Sequence, residues 1–120
     1  MKLKMIMVLV ALAAVGCGRK EAALRQFDLN AVLKVSVLKS GDVLADGRRV
    51  TLEELDSLIA TNAQRRGVVW YYREAGKEEP PPQATQAIQL VVKHKRPISM
   101  SSKPDFSDTI DQKGNSVPRR

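Results

Sequence analysis

Apolar and polar residues alternate from Val32 to Leu38, with Leu33, Val35 and Val37 on one side and Lys34 and Ser36 on the other, the period of a half-buried strand. Lys39-Ser40-Gly41-Asp42 has turn composition and Val43-Leu44-Ala45 predicts a short second strand. Asp46-Gly47 is a type I′ turn signal leading into Arg48-Arg49-Val50. The first two strands are expected to pair antiparallel. Thr51 followed by Glu54 forms a capping box, so a helix is expected from Leu52. Leu52, Leu55, Leu58, Ile59 and Ala63 fall on its buried stripe and Gly67 stands at its end.

Val68-Val69-Trp70-Tyr71-Tyr72 has the β-branched and aromatic composition of a central third strand. A charged loop then runs to Pro80-Pro81-Pro82, where a proline suits a helix start because its missing N–H would be unpaired there anyway. Ala84, Ala87, Ile88, Val91 and Val92 recur at helical spacing and finish near Lys93-His94-Lys95, whose charges suit a helix C-terminus. Pro97 blocks continuation, Ile98-Ser99-Met100-Ser101 predicts a last strand, and the polar stretch 103–120 is expected to be a disordered tail. The order strand, strand, helix, strand, helix, strand predicts an α+β fold: a small sheet of about four strands with two helices packed on one face.

Upstream of this domain, Lys2 and Lys4 precede an apolar run from Met5 to Val15, and small residues follow. That is the pattern of a signal peptide over 1–16, and the run is too short to cross a hydrocarbon core, which takes roughly 20 helical residues. Ala14-Val15-Gly16-Cys17 closely resembles the lipobox of bacterial lipoproteins, with alanine where leucine is usual. The resemblance implies acylation of Cys17 as the first mature residue and attachment to membrane lipid; the other reading is an ordinary secretory signal with Cys17 incidental. Residues 17–31 would then be a lipidated N-terminus and tether, with 22–27 either a helical turn or a linker. The expected location is the bacterial cell envelope, membrane-anchored and facing the periplasm. Gly18 is not the aspartate that commonly marks inner-membrane retention, which favours the outer membrane in a host with two.

Charge and cysteine content narrow the classes further. The formal charge of +7 falls to +5 once Lys2 and Lys4 are removed, a mild and scattered surplus that argues against dedicated nucleic-acid binding. One cysteine cannot form an internal disulfide, nor a zinc or catalytic pair with His94 if it carries lipid. His94 reads as a solvated imidazole at a helix end. Glu53, Glu54 and Asp56 read as the acids that the first turn of a helix favours. No phosphate loop, Ser-His-Asp set or metal constellation is apparent, so neither enzyme activity nor a cofactor is expected. Trp70 and Tyr72 should share one strand face as core, leaving Tyr71 on the other. Tyr71 and the neighbouring Arg73 are therefore the candidate partner-binding residues.

Residues 32–102 resemble the periplasmic domain of the ExbD/TolR family of biopolymer-transport proteins. The likeness rests on the first strand with Val35 and Val37, the Gly41 turn, the Asp46-Gly47 turn, Val50-Thr51-Leu52-Glu53-Glu54-Leu55 opening the helix, and Val68-Val69. Members of that family carry a transmembrane helix with a proton-linked aspartate, whereas Met5 to Val15 has no acidic residue, so proton coupling does not carry over. What the resemblance implies is the fold, dimerisation of the domain, and contact with an envelope protein or peptidoglycan. The expected function is that of a lipid-anchored, non-enzymatic binding protein, with an accessory role in an ExbD/TolR-type transport complex as the alternative.

Overall fold

The alternating residues of β1 (Val32–Val37) place Leu33, Val35 and Val37 in the core and turn Lys34 and Ser36 to the opposite face. β1 pairs antiparallel with β2 (Val43–Ala45), which turns at Asp46-Gly47 into β3 (Arg48–Val50). Both turn residues have positive φ, 50° and 81°, as a type I′ turn requires. The structure, a computed structural model, describes residues 27–119. The expected signal segment 1–16, Cys17 and the tether as far as residue 26 lie outside the described residues.

Thr51 caps α1 (Leu52–Gln64): Glu54 N–H donates to Thr51 Oγ1 and Thr51 N–H donates to Glu54 Oε1, both at 3.1 Å. The left-handed residue that ends the helix falls one position before Gly67. Arg66 takes the left-handed conformation (φ 56°), and the Gly67 and Arg66 N–H groups return to the Asn62 and Ala63 carbonyls, which satisfies the orphan acceptors of the last turn. Gly67 serves a different need. A Cβ there would collide with the Ala31 carbonyl and the Asn62 amide, and that same amide donates to Ala31 O (3.2 Å) and Val68 O (3.4 Å).

β4 (Val68–Arg73) runs parallel to β1, in the register Leu33↔Val69, Val35↔Tyr71 and Val37↔Arg73. α2 (Pro82–Lys93) buries Ala84, Ala87 and Val91 in the same core as Leu55 and Ile59 of α1. β5 (Ile98–Ser101) pairs parallel with β4, and the sheet order is β3-β2-β1-β4-β5. Among the described residues the fold is thus α+β with two helices and a mixed five-stranded sheet, one strand more than the sequence suggests because Arg48–Val50 pairs as a strand of its own.

Residues 103–119 are not a disordered tail. They include β6 (Asp108–Ile110) and β7 (Ser116–Pro118), an antiparallel pair that packs beside the edge strand β5, with Ser101 Oγ donating to Asp108 O at 2.8 Å and Ser99 Oγ 2.9 Å from Thr109 Oγ1. Phe106 is buried between Trp70 and Tyr72, at ring-centroid distances of 6.3 and 6.4 Å. Arg119 stacks 3.9 Å above the Trp70 ring and donates to Ser99 Oγ (2.9 Å) and Ser101 Oγ (2.6 Å). Polar composition hid this arrangement because its core is one aromatic ring and one buried acid.

That acid is Asp108, which accepts from Ser102 Oγ and Ser116 Oγ at 2.5 Å and from Ser102 N–H at 3.0 Å. The two hydroxyl donors, Ser102 first, outweigh desolvation and hold its carboxyl at about 2. A carboxylate lowered on folding stabilises the fold above its unfolded value near 4, and that contribution disappears as pH falls through 4 towards 2. Acid titration followed by Trp70 fluorescence should therefore show a loosening step over that window, absent from Asp108→Asn. An identical titration in both proteins would contradict the assignment.

Candidate functional site

α2 packs against α1 and buries Ala84, Ala87 and Val91 in the core, and the helix-side residues of the edge strand β5 are left partly uncovered. Ile98 and Met100 share the face of Val69 and Tyr71 by register, yet remain 37% and 38% exposed. Between α2 and β5 lies a cleft of about 740 Å³, within the range of about 300–1,000 Å³ usual for ligand sites. Ile88, Met100 and Ile110 supply apolar walls, and Arg73, Lys77 and Thr85 supply polar groups.

Tyr71 also lines this cleft, but the sequence reading of its strand has the wrong phase. Tyr71 is the core residue of the three aromatics, only 4% exposed, whereas Trp70 and Tyr72 face Phe106 of the C-terminal segment. Five consecutive apolar residues carry no alternation from which to read the buried side. As an exposed contact residue Tyr71 is therefore excluded; what it offers is a side chain at the inner wall whose hydroxyl is closed off from solvent. That hydroxyl is buried and lacks a hydrogen-bond partner among the described residues, a state that costs roughly 1–3 kcal/mol. Burial pushes its pKa up, with Arg73 opposing, so at neutral pH it is a donor.

Arg73, the second candidate, sits beside Tyr71 at the mouth of the cleft and clasps the following loop. It donates from Nη1 to Glu78 O (3.1 Å) and from Nη2 to Gly76 O (2.6 Å). Only two of the five guanidinium donors are engaged in these bonds. Two of the loop acids turn away: Glu74 Oε1 accepts from Lys39 N–H, and Glu78 lies 3.9 Å from Lys39 Nζ. No carboxylate lines the cleft among the described residues. The contribution of Met100 was legible in the alternation of Ile98-Ser99-Met100-Ser101, whereas Ile110 belongs to a segment whose pairing the sequence did not signal.

The remaining candidates serve the fold. His94 is not a solvated imidazole: its Nε2 lies 2.5 Å from Asp56 Oδ1, its side chain is 20% exposed, and Lys93 Nζ reaches the same carboxylate at 3.1 Å. Hydrogen bonds from His94 first, then Lys93, hold Asp56 below the usual carboxylate value, joining the end of α2 to the start of α1. Glu54 is the cap partner. Among the described residues, no group of three His, Cys, Asp or Glu side chains is placed to hold a metal ion, and no helix is long and apolar enough to cross a membrane. No protein-family model matches this chain, and no curated protein matches it.

Proposed function

We propose that the chain is a lipid-anchored, non-enzymatic protein of the bacterial cell envelope, tethered through acylated Cys17, whose ExbD/TolR-like domain binds a protein partner. The observation that carries the binding part is the cleft between α2 and β5, where an unpaired hydroxyl and two cations meet apolar walls beside an unpaired strand edge. β5 pairs with β4 on one side; on the other, β6 packs against it through side chains, Asp108 accepting from Ser102 N–H, and no strand pairs it through the backbone among the described residues. An extended segment of a partner could add to such an edge through its main chain while its side chains enter the cleft. Peptidoglycan binding on the opposite sheet face is the weaker reading, because Phe106 and Arg119 already occupy the surface around Trp70 and Tyr72.

The anchor is tested by intact mass and membrane fractionation of the full chain in a bacterial host. The wild type should begin at Cys17 with added acyl mass, and Cys17→Ser should leave the membrane. A wild type that keeps Met1 and its unmodified mass would overturn the lipoprotein reading. Crosslinking in cells from a photoreactive residue at Thr85 should trap an envelope protein that the same residue at Ser57, on the other helix, does not.

A further inference from the structure

We infer that the cleft recognises the free carboxylate at the C-terminus of a peptide whose last side chains are apolar. The inference rests on reading the cleft as a binding site and not on the lipid anchor. Three features converge on this ligand. The Tyr71 hydroxyl is buried, protonated and without an acceptor among the described residues, so it has a hydrogen bond to donate to a ligand that displaces the side chains covering it. Arg73 and Lys77 bring positive charge to the same cleft, while Glu74 and Glu78 are engaged with Lys39 and no acid lines the walls among the described residues. A site holding donors and cations without a carboxylate of its own is complementary to an anionic acceptor, and a hydrogen bond to such a group is among the strong ones.

The third feature is the apolar lining. Ile88, Met100 and Ile110 give the same cleft apolar surface, Met100 lying beside Tyr71 in the strand register, and Met100 and Ile98 remain partly exposed on β5. This surface would take the side chains that precede the carboxylate, while the unpaired edge of β5 offers main-chain groups that a peptide can use and a fatty acid cannot.

The test uses the purified full-length chain and a fluorescein-labelled pool of hexapeptides, with Leu, Ile, Val, Met and Phe randomised at the last two positions. The pool is made once with free C-terminal carboxylates and once as C-terminal amides, and binding is read by fluorescence anisotropy. The free-acid pool should bind at least about tenfold more tightly than the amide pool. Tyr71→Phe should weaken the free acids about tenfold, leave the amides unchanged, and keep or raise the thermal midpoint, because it removes an unpaired buried hydroxyl. Lys77→Glu, at an exposed position, should weaken the free acids and flatten their salt dependence. Equal binding of acids and amides, unaltered binding by Tyr71→Phe, or no binding of either pool would overturn the inference. Displacement of the free acids by an equal concentration of decanoate would also overturn it, since an apolar carboxylate without peptide bonds would then suffice. None of these outcomes depends on whether Cys17 is acylated.

Discussion

Deleting residues 103–120 is expected to lower the thermal midpoint by more than about 10 °C and to move Trp70 emission to longer wavelength. The segment contributes a buried Phe106 ring, the enclosed Asp108 carboxylate with its serine donors, and the Arg119 guanidinium over Trp70. Losing a buried phenylalanine alone costs about 3 kcal/mol or more, and in a domain of this size each kcal/mol is worth roughly 4–8 °C. Trp70 is the chain's one tryptophan, so its emission reports directly on whether the ring has lost its cover. Phe106→Ala should reproduce most of the loss without shortening the chain. A truncated protein that melts where the full chain does would mean that these strands do not hold the sheet.

Gly67→Ala should be nearly as damaging, for a reason unrelated to helix propensity. The added methyl would meet the Ala31 carbonyl and the Asn62 side-chain amide together, and the first of these is backbone entering β1. Neither can yield freely, because Asn62 bridges Ala31 O and Val68 O while Val68 N–H donates to Ala31 O at 2.9 Å. Overpacking of this kind costs about 3 kcal/mol. Arg66→Gly is the contrasting change: the left-handed residue is Arg66, so glycine there should be neutral or stabilising by about 1 kcal/mol. Denaturant unfolding of the two variants reads the difference, and a destabilised Arg66→Gly beside a tolerant Gly67→Ala would reverse the roles assigned to these neighbours.

These two sites mark where sequence reasoning loses its grip. The hairpin and the first helix were legible because their signals are local: a two-residue turn that needs positive φ, and a threonine and glutamate three residues apart that cap one another. The helix-facing side of β1 was legible from Lys34 and Ser36, which interrupt the apolar residues at period two. In β4 no polar residue interrupts the run, so the buried side was decided by tertiary packing, and Tyr71 and Trp70 exchanged places. The C-terminal strands are three residues each and hold to the sheet through serines, an aspartate and an arginine whose partners lie 6 to 20 residues away. The cleft inherits the same limit: Tyr71 and Arg73 stood out as chemistry, but their joint position depends on where α2 leaves β5 uncovered.

The parallel pairing of β1 with β4 carries a kinetic consequence. Val32 meets Val68 across the whole of β2, β3 and α1, so the central pair of the sheet cannot form until that intervening chain has closed as a loop. Non-local closure of this kind slows folding, whereas the β1–β2–β3 meander and the capped helix need only near neighbours. The N-terminal half can thus gather early, with β4 joining the centre and β5 extending it afterwards. The C-terminal strands require both, since Arg119 and Phe106 grip residues of β4 and β5. They are last to find their place during assembly and the first expected to let go.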